Sequence, residues 1–212
     1  MVQPLPRSKP ASPPAQQSAS IQPESIITAA PDDDEACLAA LRDLKVEFSP
    51  AAEPAAGNAS CRVPTPVILV AAATARGRIE FPERPLLGCR FARQFVTWVA
   101  ATDRISALGK VWTGPGFQCR GRNGDSSAKL SEHALGNAVD VTTIATADGR
   151  SIAVADAASP LSRDYAMLKA IRSLACDYFT TVLGPGANSA HATHFHFDLA
   201  QHGHSKDYRI CE

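Results

Sequence analysis

Six cysteines, Cys37, Cys61, Cys89, Cys119, Cys176 and Cys211 of a 212-residue chain, constrain the fold more than any other feature. None sits in a CxxC pair of the kind that binds structural zinc or performs redox chemistry, so an even, dispersed set reads as a disulfide framework. Such a framework persists in an oxidising compartment, which predicts an exported chain of the periplasm or cell envelope. Free thiols in a cytosolic core are the rival reading. Of the fifteen possible pairings, easy closure of short loops favours Cys37–Cys61, Cys89–Cys119 and Cys176–Cys211. All six lie beyond residue 31. Residues 1–31 hold seven of the sixteen prolines and no aromatic residue. That composition cannot offset its ordering entropy, so a disordered, Pro/Ser-rich linker is expected before one domain over 32–212. No apolar run of the signal-peptide type follows Met1, so an export leader is expected upstream of this sequence, or else its start is misassigned.

Charge narrows the partners. Twenty-one Lys plus Arg against twenty-one Asp plus Glu leave no formal net charge. There is no basic excess to neutralise phosphates, and nucleic acid is not expected. The longest apolar run, residues 67–73, is far below the ~20 residues of a bilayer crossing, so no transmembrane segment is expected. Asp32 to Asp34 can cap a helix carrying Cys37, Leu38, Leu41 and Leu44 on one face. A second helix is expected over 87–105, with Phe91, Phe95, Trp98 and Val99 as its apolar face. A third is expected to start at Ser159-Pro160 and run to Ala175. Alternation predicts strands at 138–142 and 194–199, and glycine-rich loops at 114–129 and 184–190. The sum is an α+β domain in which a small antiparallel sheet packs with about three helices and bears a single metal site.

The chemistry concentrates at the end of the chain, where five of six histidines fall in the last twenty-two residues. His194-Phe195-His196-Phe197-Asp198 alternates strictly. A strand there projects His194, His196 and Asp198 from one face and both phenylalanines from the other. Upstream, Ser131-Glu132-His133-Ala134-Leu135-Gly136-Asn137-Ala138-Val139-Asp140 reads as a loop bearing His133 that turns at Gly136 into a strand. Ala138 and Asp140 share one face of that strand, and the small Ala138 leaves room for a substrate. His133, Asp140 and His196 can meet at one divalent ion, leaving a fourth tetrahedral position open. Alternation points Glu132 away from it. His191 reads as a loop residue near the site, and His202 and His204 as a solvated tail. Arg120 can pair with a surface carboxylate such as Asp125.

The stretch from Ser131 to Asp140 resembles the Ser-x-His-x-x-Gly-x-Ala-x-Asp motif of the zinc D-alanyl-D-alanine carboxypeptidases and murein endopeptidases, whose fold the hedgehog signalling domain shares. The His-x-His strand resembles the second motif of that superfamily. More closely, the run from Ala175-Cys176 through Phe179-Thr180-Thr181-Val182-Leu183-Gly184-Pro185-Gly186-Ala187-Asn188, then His191 and His194 to Asp198, is similar to the bacterial extensin-like C-terminal domain over roughly 35–212. The resemblance implies Zn²⁺ on His133, Asp140 and His196, with His194 as general base. It also implies Arg120 as the group holding a substrate carboxylate or carbonyl. Ser131 and Asp198 are expected to orient the ligands. The implied activity is zinc-dependent hydrolysis of an amide in peptidoglycan peptide. The alternative is a catalytically silent, zinc-containing binding module of the cell envelope. Two imidazoles and a carboxylate also tolerate Mn²⁺, Co²⁺ or Ni²⁺.

Overall fold

A computed structural model describes residues 34–125, 127–203 and 208–212. The linker expected over 1–31, the capping Asp32 and His204 lie outside the described residues. In chain order run α1 (Asp34–Asp43), β1 (Val46–Pro50), β2 (Pro66–Thr74), β3 (Gly77–Glu80), β4 (Leu86–Gly88), α2 (Cys89–Ile105), β5 (Leu108–Thr113), β6 (Ala138–Thr146), β7 (Ser151–Ala153), α3 (Tyr165–Ala175), β8 (Thr181–Leu183), β9 (Phe195–Asp198) and β10 (Ile210–Cys211). All the strands join one sheet in the order β1-β2-β3-β5-β6-β9-β8-β10, with β4 beside β2 and β7 beside β6. Pairing is antiparallel except for β3 with β5 and β8 with β10. The α+β class and the three helices match expectation. The small antiparallel sheet does not, because the sheet is large and mixed. Its longest unforeseen strand, β2, is apolar on both faces and so carries no period of two. Strands of two to four residues, such as β8 and β10, are too short to show any period.

Helix α2 follows its apolar stripe, with Phe91, Phe95, Trp98 and Val99 buried. It packs on β2 and β4 and touches α1 and α3. Extended backbone at Gly88 (φ −67°, ψ 140°) moves its start from 87 to Cys89. Helix α3 starts six residues after Ser159. The Ser159 carbonyl accepts from the Ser162 amide at 2.9 Å and its Oγ from the Leu161 amide at 3.3 Å, closing a turn that competes with helix.

The disulfides are Cys37–Cys89, Cys61–Cys119 and Cys176–Cys211, which leaves no free cysteine. The first two correct the expected Cys37–Cys61 and Cys89–Cys119. Cys37 faces the core from α1, which lies against α2, whose first residue is Cys89. Helix packing, and not short loop closure, selects the partner. Among the described residues no helix is long and apolar enough to cross a membrane.

Candidate metal centre

Strands β6 and β9 place Asp140 directly opposite His196 and Ala138 opposite Asp198. Residues paired in this way share a face. Val139, Val141, Phe195 and Phe197 are fully buried in the core, so Asp140, His196 and Asp198 point to the other side. A cleft of about 520 Å³ opens there, lined by His133, Asp140, His194 and His196 and by Arg120. His133 arrives on a 3-10 turn, Glu132–Leu135, whose start is capped by Ser131 Oγ accepting the His133 amide at 3.4 Å. The turn ends at Gly136 in the left-handed region (φ 61°), where a Cβ would come within 2.4 Å of Val63 Cγ1 and 2.8 Å of the Gly88 nitrogen. Only glycine fits.

Three atoms then converge. Asp140 Oδ1 lies 3.0 Å from His196 Nδ1 and 3.3 Å from His133 Nε2, and those two nitrogens are 3.3 Å apart. The opposite nitrogen of each ring faces an acceptor. His133 Nδ1 is 2.8 Å from the Gly116 carbonyl oxygen, and His196 Nε2 is 3.0 Å from Asp198 Oδ2. A carbonyl can only accept, and an ionised carboxylate likewise, so both outer nitrogens carry the proton. Both inner lone pairs point at the Asp140 carboxylate. Three acceptors without a donor among them need a cation, and two imidazoles with one carboxylate suit Zn²⁺ or a similar divalent ion. His133, Asp140 and His196 could therefore hold a metal, their ligand atoms all lying within 4.8 Å of one another.

A proton is the simplest cation for this place. Burial disfavours a charged His196, yet its hydrogen bonds to Asp140 and Asp198 raise its pKa to about 9. Burial opposes ionisation of Asp140 as well, but the facing rings of His133 and His196 hold its carboxyl well below the usual carboxylate range. Asp198 is likewise lowered against burial, chiefly by His196. Its other oxygen accepts the Ala200 amide at 2.9 Å.

His194 sits in the bend before β9, not in the strand itself, and its Nε2 is 3.5 Å from Asp140 Oδ1. Burial lowers its pKa, with the Asp140 charge opposing. The His191 ring lies 5.3 Å from that of His194 and 5.5 Å from that of His196. Burial, then the charges of His196 and His194, bring it down to about 4. Arg120 does not pair with Asp125. Its Nε donates to Gln118 Oε1 at 2.7 Å and its Nη1 to the Gly121 carbonyl at 3.4 Å, while Asp125 takes the Ser127 amide and hydroxyl.

Three sequence expectations need correction. Glu132 lines the cleft and accepts from Asn137 Nδ2 at 2.7 Å, because a 3-10 turn does not alternate faces. Ala138 is fully buried and is not among the residues that line the cleft. His202 is no solvated tail, since its Nε2 is 2.8 Å from Thr181 Oγ1 and it lines the cleft. Gly116, Thr181 and His202 escape sequence reading because distant pairings bring each to the site. No curated protein and no solved structure matches the chain. The family profile described as extensin-like protein C-terminus matches residues 35–212, spanning all six cysteines and the whole His/Asp cluster, and the chain belongs to that family.

Proposed function

We propose that the chain is a zinc-dependent amide hydrolase acting on peptidoglycan peptide, exported to the cell envelope. The observation that carries the reading is the pair of histidine lone pairs, each fixed by an acceptor behind its ring, meeting the Asp140 carboxylate in an open cleft. The resemblance of the Ser131-to-Asp140 stretch and the His-x-His strand to the zinc carboxypeptidases and murein endopeptidases supports it. Three disulfides support export.

His133, Asp140 and His196 would hold the ion. When bound, it supplies Lewis-acid polarisation of a carbonyl and a water acidified to a pKa of about 7. His194, half-buried and beside Asp140, accepts a proton in the cleft and returns it to the leaving amine. Arg120, steered by Gln118, offers its remaining guanidinium N–H groups to a substrate carboxylate or carbonyl oxygen. Ser131 holds the turn that presents His133, and Asp198 holds the tautomer of His196. The test is hydrolysis of purified muropeptides by wild type and His194→Ala, with metal content measured on the same samples. His194→Ala is expected to keep its metal and lose about 10²–10⁴ in rate. Fully metallated wild type without turnover on any stem or cross-linked peptide would replace this reading by the silent binding module.

A further inference from the structure

The rim of the cleft carries two arginines, Arg120 and Arg122, on one built loop. Cys119 is bonded to Cys61 just before it. The Arg120 carbonyl accepts the Ser131 amide at 3.1 Å and the Arg122 amide donates to the Lys129 carbonyl at 3.0 Å, with Gly121 bridged antiparallel to Leu130. This short pairing runs directly into the 3-10 turn that presents His133. Gly121 is extended (φ −70°, ψ 169°), and in extended backbone successive side chains point to opposite faces. A Cβ on Gly121 would run into the Asp125 carbonyl oxygen and come within 3.3 Å of that of Ala128. That face is therefore filled by the returning chain. Arg120 and Arg122 project together from the other face, where both line the cleft.

The carboxylates of the cleft are engaged elsewhere. Asp140 and Asp198 face the His196 ring, and Glu132 accepts from Asn137. Arg120 uses its Nε on Gln118 and its Nη1 on the Gly121 carbonyl, and among the described residues no carboxylate pairs with it. Arg122 is exposed, and among the described residues its guanidinium has no partner at all. A single unpaired surface arginine says little. Here two stand on one face of a backbone segment continuous with a metal-ligand turn, their Cα atoms about 7 Å apart as residues i and i+2 of extended chain.

We propose that the cleft selects peptides bearing two carboxylates about 7 Å apart, one received by Arg120 and the second by Arg122, which makes Arg122 a specificity-determining residue. This rests on the reading of the site as one for peptidoglycan peptide and adds which of those peptides it prefers. The planar guanidinium fork matches a carboxylate through two parallel N–H···O bonds. Because Arg122 is exposed, water and salt screen its contribution, so the preference is modest in size.

The probes are two muropeptides that differ at one group. The first has a free carboxylate at each end of its diamino-acid residue, and in the second one of these is a carboxamide. Dissociation constants are measured by calorimetry on the zinc-supplemented full chain carrying His194→Ala, so that bound peptide is not consumed, with Arg122 retained or changed to Gln or Lys. With Arg122 present the free acid is expected to bind about 3–10-fold more tightly than the amide. In Arg122→Gln that ratio should fall to near one, and Arg122→Lys, a point charge without the fork, should keep part of it. A ratio near one with Arg122 present, an undiminished ratio in Arg122→Gln, or no measurable binding of either peptide would overturn the proposal. Inorganic phosphate binding as tightly as the free acid would overturn it too, by reducing the rim to a general anion site. Absence of hydrolysis by wild type, with the ratio and its loss intact, would defeat the hydrolase reading and leave the selection of dicarboxylate peptides supported.

Discussion

Strand β9 has two faces with opposite demands. Phe195 and Phe197 point into a core where Phe197 meets Trp98 at 4.9 Å and stacks on Phe179 at 4.8 Å. His196 and Asp198 point the other way, each held by named hydrogen bonds. The core face contributes stability in proportion to apolar area, and a volume-conserving change costs little there. The cleft face buries ionisable groups, which costs stability unless every one is partnered. A single strand thus anchors the fold with its odd positions and spends part of that stability on its even ones.

Substitutions on the two faces should separate cleanly. The largest effect is expected from His133→Ala or His196→Ala, which leave two protein donors and should bring metal content from near stoichiometric to near zero after dialysis. Retained stoichiometric metal in either variant would break the contrast, since the cleft face would not then be the ligand face. Phe197→Ala should do the reverse. It is expected to cost ~3–5 kcal/mol in urea unfolding while the folded fraction keeps its metal. A loss below about 1 kcal/mol would mean that the core face does not anchor the strand.

A smaller, graded effect comes from pH. With the His196 pKa raised to about 9 in the metal-free protein, an incoming ion must displace its proton throughout the neutral range. Apparent affinity should therefore rise as pH rises, about tenfold per unit between pH 6 and 8, and level off near 9. A flat profile in chelator competition would show that no proton leaves and would remove His196 from the ligand set.

Legibility in the sequence divides along a similar line. The apolar stripe of α2, the alternation of β9 and the His133-to-Asp140 spacing are local patterns, and each could be read before any fold was known. Gly136 was readable as a turn because its left-handed backbone is a local requirement. What could not be read depends on pairings between distant segments. The Gly116 carbonyl reaches His133 only because the loop after β5 folds back on β4. Thr181 stands opposite Asp198, with His202 on its hydroxyl, only because β8, three residues long, lies between β9 and β10. Cys37 finds Cys89 through helix packing, which sequence separation does not encode.

The place of β9 in the sheet has a consequence for how the molecule comes into being. This strand lies near the end of the chain yet in the interior of the sheet, and β8 and β10 reach the remaining strands only through it. As the chain emerges during synthesis, β1 to β7 can pair among themselves and leave only the edge of β6 that receives β9 without its partner. The cluster cannot close before residue 196 has arrived and inserted. A chain stopped short of β9 would hold His133 and Asp140 but never join them to His196. Truncation therefore does not yield a weakened centre, and an ion meets the full set of donors only in a chain made through to its last strands.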